Sequence, residues 1–382
     1  MRRISRAVGR NIKTQGGFRG RMYHTDIPML KDETSLKTLS SIPEFESGKV
    51  SLKTGNYGAA VEGFSRALDV CSHVLGTGSA EHLYMNRLLL DVCYGTKNVP
   101  GGVLYASNIF EAIKDSSTDD KTSALDALRI GRFFLHVGDL RKVRSLEPLL
   151  HETTGGKLSL ATAFIADREF SEGMYILEGL TSTSCPVVLN NFAGACLLEG
   201  GEEAPSAALE FLKESMVVLD KQTERNFLRA HVYCNAGVVS LISKEYDDAL
   251  RYLKESIDFY DAAVAANKEG GDDGTLKGRA LAQLGAYYHS TEQAVSAEGM
   301  HRAAKEAMEN APASPRRDLI HSHNLDLFGL LLRDWDKRES EAEGIFAKAL
   351  EVRNSIAGNV PDEILYLGGW GTAAARDLRS YF

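Results

Sequence analysis

Residues 233–260, YCNAGVVSLISKEYDDALRYLKESIDFY, have the pattern of two short antiparallel helices. In the first helix the small residue Gly237 marks a point where a partner helix comes close, because only a small side chain permits close packing there. The second helix places Ala249, Leu253 and Ser256 at i, i+4 and i+7 on one face. A single hairpin cannot bury both of its faces, so this one needs copies of itself on either side.

Copies of the pattern occur along the chain. Gly48 precedes Ala60 by 60 − 48 = 12 residues, the same spacing that separates Gly237 from Ala249. The motif Ala-Leu-x-aromatic-Leu-Lys-Glu-Ser occurs at residues 208–215 and again 41 residues later, since 249 − 208 = 41. Two further copies repeat the glycine and the i, i+4, i+7 face: Gly285 with Ala297, His301 and Ala304, and Gly329 with Ala342, Phe346 and Ala349.

The tract GNYGAAVEGFSRAL, residues 55–68, resembles the tetratricopeptide repeat (TPR). In that family a tyrosine or aspartate opens the second helix, and alanine, aromatic and alanine residues follow on one face. The spacing here exceeds the 34-residue period of a plain TPR and is similar to that of kinesin-light-chain-like members. The resemblance covers roughly residues 42–70 and 158–357, whereas residues 72–153 show helical periodicity alone. It implies an all-α fold over residues 42–357, a right-handed α-solenoid of about seven antiparallel helix pairs.

The two ends of the chain differ from this body. Residues 1–25 contain seven Arg or Lys residues and no acidic residue, with an apolar stripe at Ile4, Val8 and Ile12. This composition is typical of a mitochondrial transit peptide; the alternative is a basic arm that stays on the protein and binds nucleic acid or a lipid surface. Residues 26–41 are expected to be an irregular linker. Residues 358–382 are expected to form a C-terminal capping helix or tail.

Composition narrows the classes of function. The net charge is −8, and without residues 1–25 it becomes −8 − 7 = −15, which disfavours sequence-independent binding to nucleic acid. The five cysteines are scattered, with no CxxC pair, and are expected to be reduced and mostly buried. The most apolar stretch, residues 187–198, is too short to span a bilayer, which takes about 20 residues.

Motifs for catalysis or for cofactors are scarce. His321 and His323 with Asp326 make the best metal candidate, but side chains at i and i+2 point to different sides of a helix. The Gly-Gly-Lys tract within residues 153–157, expected to be a loop, lacks the spacing and the hydroxyl residue of a phosphate-binding loop. We therefore predict no catalytic site, no cofactor and no metal. An enzyme hidden in residues 72–153 remains an alternative, which a pocket with perturbed titratable groups would support.

The resemblance implies a binding groove lined by the first helix of each pair. Carried over to this sequence, the groove comprises Asn190, Asn191, Arg225, Arg229, Asn235, Arg279, Gln283, His321 and Asn324. Such side chains can hold an extended peptide through its backbone and carboxylates. Asn235 and Arg279 match part of the carboxylate clamp of chaperone-binding members, but Asn191 stands where a lysine is expected and Gln283 where an arginine is expected. The alternative for all of them is a solvated helix face.

The leading interpretation is a non-enzymatic mitochondrial scaffold, in the matrix or on the matrix side of the inner membrane. It would be an accessory subunit or assembly factor of a respiratory-chain or ATP-synthase complex, with other subunits as partners and peripheral membrane association through them. One alternative is a helical-repeat protein of the mitochondrial ribosome or of RNA metabolism. Another is a soluble adaptor or chaperone-linked TPR protein.

Overall fold

The structure is a computed structural model that describes residues 33–54, 56–95, 99–115, 121–137, 139–151, 153–167, 169–180, 186–221, 227–266, 274–311, 315–335 and 337–355. These ranges contain 18 α-helices and no β-strand, which confirms the all-α class. In chain order the helices are α1 (Glu33–Ser40), α2 (Pro43–Lys53), α3 (Tyr57–Val74), α4 (Ala80–Gly95), α5 (Val99–Ile113), α6 (Lys121–Val137), α7 (Leu140–Ser145), α8 (Glu147–Leu150), α9 (Thr154–Ala166), α10 (Phe170–Glu178), α11 (Pro186–Glu199), α12 (Ala204–Asp220), α13 (Phe227–Ile242), α14 (Tyr246–Ala266), α15 (Thr275–Ser290), α16 (Ala294–Asn310), α17 (Pro315–Arg333) and α18 (Glu339–Asn354).

Most helices pack against the next helix in the chain. The pairs are α2 with α3, α4 with α5, α11 with α12, α13 with α14, α15 with α16 and α17 with α18. Helices α9 and α10 form another, because Gly173 of α10 lies against Ile165 of α9. Seven pairs in the described residues agree with the number expected. Two compact units contain them: an N-terminal unit (described residues 33–135 and 141–159) and a C-terminal unit (136–140 and 160–355).

A glycine in the first helix of a pair faces a large side chain of the second helix. A Cβ atom at Gly237 would lie 2.6 Å from Leu253, and one at Gly329 would lie 2.6 Å from Phe346. Gly48 lies against Phe64 in the same way. Real Cβ atoms do not approach other atoms this closely, so glycine is what allows each pair to close. The predicted position of Gly237 at a helix crossing is confirmed.

A hydrogen bond from a buried serine is a second contact, and it recurs within successive helix pairs. Ser256 Oγ of α14 donates a hydrogen bond to the Ala230 carbonyl of α13, at 2.7 Å. Ser215 Oγ of α12 donates one to the Pro186 carbonyl of α11, at 3.1 Å. Both serines lie on the face that the repeated motif places against the partner helix. The bond fixes the second helix against the beginning of the first.

Two local expectations differ from the structure. Residues 33–40 of the predicted linker form helix α1, because Leu39 is fully buried and Ser35 donates a hydrogen bond to Glu81 of α4 at 2.6 Å. Residues 154–157, expected to be loop, form the first turn of α9. The predicted transit peptide and the predicted C-terminal cap at 358–382 lie outside the described residues. Within the described part of the chain, no helix is long and apolar enough to cross a membrane.

Candidate functional site

A row of polar side chains crosses successive helices of the C-terminal unit. We call it the polar ladder; it consists of Thr162 on α9, Asn190 and Asn191 on α11, His231 and Asn235 on α13, and Arg279 on α15. Every one of these side chains is buried. Buried polar groups are costly unless they are hydrogen-bonded, so the partners of each group decide what the ladder can do.

The amides of α11 connect the ladder to its neighbours on both sides. Asn191 Nδ2 donates a hydrogen bond to Thr162 Oγ1 of α9, at 3.0 Å. Asn190 Nδ2 lies 3.4 Å from Asn191 Oδ1, and Asn190 Oδ1 accepts from Asn235 Nδ2 of α13 at 2.8 Å. An asparagine amide offers donors and an acceptor, so one side chain can bond in two directions. The ladder therefore continues from α9 through α11 to α13.

Arg279 continues the ladder to α15. Its Nη2 donates a hydrogen bond to Asn235 Oδ1, at 2.8 Å. His231 lies beside both groups, with Nε2 3.5 Å from Asn235 Nδ2 and Nδ1 3.5 Å from Arg279 Nη1. Asn235 thus donates to one neighbouring helix and accepts from the next. Such a network fixes the register of successive first helices, because a shift of one helix would leave buried polar groups without partners.

Helix α17 extends the polar face by one more pair. Asn324 Nδ2 donates to the Gly278 carbonyl of α15 at 3.2 Å. Asn324 Oδ1 and His321 Nδ1 are buried and have no hydrogen-bond partner within the described ranges, and both residues are only 3% exposed. Burial lowers the pKa of His321 to about 4, and the neighbouring positive charge of Arg317 lowers it further. At neutral pH both atoms can accept a hydrogen bond, one as a neutral imidazole nitrogen and one as an amide oxygen.

The structure brings most of the predicted groove residues together. Asn190, Asn191, Asn235 and Arg279 belong to the ladder, and Gln283, His321 and Asn324 lie on the same first helices, α15 and α17. All seven are at most 8% exposed, so a solvated helix face does not describe them. Their burial shows how they are held, whereas their role in partner binding stays a prediction.

The remaining two predicted groove residues lie apart from these seven. Arg225 lies outside the described residues. Arg229 donates to the Leu219 carbonyl near the end of α12, lies 3.4 Å from Asp220 and stacks 5.0 Å from the Phe259 ring centroid. It therefore binds the C-terminal end of α12, where a cation complements the helix dipole.

Two members of the ladder, Thr162 and His231, are not among the predicted groove residues. Thr162 lies in a helix read only for its apolar pattern, and His231 precedes Asn235 by four residues. The i, i+4 spacing places His231 and Asn235 on one helix face. That spacing is a signal from which His231 could have been predicted.

A cluster of four charged side chains lies in the N-terminal unit, within the tract of degenerate pattern. Arg87 Nε of α4 donates to both carboxylate oxygens of Asp126 of α6, each at 3.0 Å. Arg129 lies 3.5 Å from Asp91 and 3.6 Å from Asp126. Burial raises the pKa of the Asp126 carboxyl, against the opposing effect of Arg87. Two arginines balance two aspartates, so the cluster has the composition of an internal ion-pair network that ties α4 to α6.

Within the described ranges, no group of three or more His, Cys, Asp or Glu side chains is arranged to hold a metal ion. His321 is buried, whereas His323, two residues further along α17, is partly exposed. This difference is what an i, i+2 spacing on a helix produces.

No protein-family model matches the sequence, and no curated protein matches it either. Several solved structures are similar to this chain. One comes from a functional characterisation of Pseudomonas aeruginosa PilF; it is 17% identical, with a TM-score of 0.37, and the match covers 58% of this chain and 96% of that chain. A chain of the APC/C hetero-tetramer Cut9–Hcn1 has 12% identity, 82% and 58% coverage and a TM-score of 0.42. The P58(IPK) TPR domain has 11% identity, 83% and 98% coverage and a TM-score of 0.25. The fold class rests on the helix pairs themselves: the chain is an all-α protein built from TPR-like helix pairs.

Proposed function

We propose that this protein is a non-enzymatic mitochondrial scaffold, an accessory subunit or assembly factor of a respiratory-chain or ATP-synthase complex. The observation that carries the interaction role is the polar face formed by the ladder and its extension on α17. This face lies on the first helices of consecutive pairs, where the resemblance to TPR proteins places the groove. The basic, acid-free composition of residues 1–25 supports the mitochondrial location.

The chemistry of this face suits an extended polypeptide partner. Amide and guanidinium groups pair with backbone groups and with carboxylates. The hydrogen bonds within the ladder already order its side chains, so the entropy cost of ordering them when a partner binds is small.

Native-gel separation tests the assignment to a complex. Mitochondria of the native source are solubilised gently, and the band that contains this chain is identified by mass spectrometry. We expect comigration with a large respiratory or ATP-synthase complex, or with a partial assembly of one. Migration as a free monomer would contradict the scaffold role, and absence from mitochondria would contradict the location.

Site-specific photo-crosslinking tests the binding face. A photoreactive amino acid replaces Gln283, which lies on α15 beside the ladder, or Lys254, an exposed residue of α14 that serves as the matched control. We expect crosslinks to a subunit of the comigrating complex from position 283 and few from position 254. Equal crosslinking at both positions, or crosslinks from 254 alone, would place the partner elsewhere.

A further inference from the structure

His301 occupies an unusual position for a histidine. It stands on the packed face of α16, where other pairs have Phe64, Leu253 or Phe346 against the glycine of the first helix. A Cβ atom at Gly285 would lie 2.8 Å from its ring, so the imidazole fills the crossing of α15 and α16. The same ring stacks on Phe328 of α17, with 5.6 Å between centroids and 17° between planes. His301 therefore joins one helix pair to the next through an apolar contact.

The surroundings of His301 suit the neutral imidazole and exclude the charged one. The side chain is 2% exposed, and neither ring nitrogen has a hydrogen-bond partner among the residues that the structure describes. A buried charge without a partner is far more costly than a buried neutral group. Burial lowers the pKa of His301 to about 4, and the nearby His289 contributes in the same direction.

Charged groups on the packed helices do not offer His301 a carboxylate. On α15, His289 is paired with Asp334, at 3.3 Å. On α16 itself, Glu298 accepts hydrogen bonds from Arg302 and from Arg338.

Further charged groups on α16 and α17 are paired with other side chains or carry the same sign. Lys305 of α16 lies 3.8 Å from Glu309, and Asp326 of α17 accepts from Arg353 at 2.8 Å. His321 of α17 is itself a buried histidine whose pKa is lowered to about 4. A proton on His301 would therefore be stabilised only after the ring leaves its site.

We propose that His301 is a proton-operated latch between the α15–α16 pair and α17. When the ring takes up a proton, its contacts with Gly285 and Phe328 open, and the imidazolium reaches water. When the proton is lost, the ring returns to the crossing and closes the junction. One proton is bound on opening and released on closing.

This coupling fixes the dependence of opening on pH. Between the ordinary pKa of 6.5 and the lowered value of about 4, the open state is protonated and the closed state is neutral. The equilibrium constant for opening therefore rises by about tenfold for each pH unit of acidification in this window. Above the ordinary pKa the proton no longer contributes, and the junction opens at a constant low level.

Amide hydrogen exchange across pH 4.5 to 7.5 measures this opening. With rates corrected for the intrinsic effect of pH, we expect the protection of α15, α16 and α17 to fall about tenfold per pH unit below pH 6.5. Protection of α11 and α12, which contain no histidine, should stay constant over this window. The His301 imidazole, followed by NMR, should titrate well below its ordinary pKa. A ring that titrates near 6.5 while the helices stay protected would overturn the proposal.

Two variants separate His301 from other titrating groups. His301→Phe restores the side chain found at residues 64 and 346, so it is expected to fold and to lose the steep pH dependence of protection. His321→Leu removes the buried histidine of α17 and should leave the dependence of the α16 amides on pH in place. An unchanged dependence in His301→Phe would sink the proposal. The transplant Leu253→His should create the same dependence in α13 and α14.

Discussion

At the scale of single residues, the closest helix crossings depend on the absence of one methyl group. Gly237 and Gly285 lie against Leu253 and His301 at distances that no Cβ atom would permit. Other glycines have no such role, because a Cβ at Gly299 of α16 would meet nothing within 4 Å. Whether a glycine is required therefore depends on its neighbours in space.

The first prediction compares two glycine-to-alanine substitutions in helices. Gly237→Ala should lower the free energy of unfolding by about 1–3 kcal/mol, because the new methyl group overpacks against Leu253. Gly299→Ala is the matched control and should raise it by about 0.5–1 kcal/mol, through the better helix propensity of alanine. Urea denaturation monitored by circular dichroism measures both. Equal effects would mean that Gly237 is not at a tight crossing.

At the scale of helices, charged side chains link elements in two different ways. The buried pair Arg87–Asp126 joins α4 to α6 inside the N-terminal unit. At the surface, Arg338 binds Glu298 of α16 with two hydrogen bonds, of 2.9 and 3.0 Å, and binds Glu341 of α18. The Arg87–Asp126 pair is costly to break because it is buried, whereas solvent weakens the interaction between Arg338 and Glu298.

The second prediction concerns the buried pair. Asp126→Ala should destabilise the protein by about 3–5 kcal/mol, because it leaves Arg87 buried without its carboxylate. The double variant Arg87→Met, Asp126→Leu should be markedly more stable than Asp126→Ala, since it removes both charges and leaves Arg129 beside Asp91. Thermal and urea unfolding measure the difference. A double variant that is less stable than the single one would show that the cluster does more than balance charge.

The third prediction concerns the surface link. Arg338→Ala should cost about 1 kcal/mol, and Arg302→Ala, whose side chain is 62% exposed, should cost less. The hydrogen bonds from Arg338, and then those from Arg302, lower the pKa of Glu298 below its ordinary value of 4.5. The stabilisation by Glu298 is thus complete above pH 4.5 and is lost as the pH falls through the lowered pKa. Urea unfolding at pH 7 and pH 3 should show the effect of Arg338→Ala shrinking at the lower pH.

At the scale of the whole molecule, buried histidines determine how stability depends on pH. His301 and His321 both have pKa values lowered to about 4 from an ordinary value of 6.5. At these two sites the unfolded chain therefore binds up to two more protons than the folded protein between these values, and this difference favours unfolding in acid. Below pH 4 both states are protonated at these sites, so the loss is complete.

The fourth prediction follows from this difference in proton binding. As the pH falls from 6.5 towards 4, the free energy of unfolding should decrease by up to about 2.7 kcal/mol per pH unit at these two sites. The double variant His301→Phe, His321→Leu should show a much flatter profile above pH 4.5. Urea titrations at half-unit intervals measure the slope. A profile as steep as that of the parent would assign the acid sensitivity to other groups.

The fifth prediction tests the location at the level of the full chain. Deletion of residues 2–25 should abolish import into isolated mitochondria, because it removes seven positive charges and the apolar stripe. The deletion should leave the unfolding transition of the helical body nearly unchanged. Normal import of the deleted form would contradict the targeting role of this segment.

The all-α class and the register of the repeat could both be predicted from the order of residues along the chain. The Gly–Ala spacing placed Gly48, Gly237 and Gly285 at helix crossings, and the motif placed Ser215 and Ser256 on the packed face. Both follow from local periodicity, because the side chains of one helix face recur every three to four residues. Part of the ladder was also predictable, since Asn190, His231 and Arg279 each stand 18 residues before the first alanine of the packed face (208 − 190, 249 − 231 and 297 − 279).

Only the tertiary structure decided how those residues are used. The sequence could not tell a solvated face from a buried ladder, because burial of Asn235 depends on helices some 45 residues away. The sequence does not indicate that Arg87 pairs with Asp126, because the two residues are 39 positions apart. It also predicts a loop at residues 154–157, where α9 begins. The sequence shows His301 only as one residue of a periodic helix face. Its contacts with Gly285 and Phe328 follow from the packing of α15 and α17 against α16. Periodicity reports which face packs, whereas the energy of a polar side chain depends on the partners that the fold brings to it.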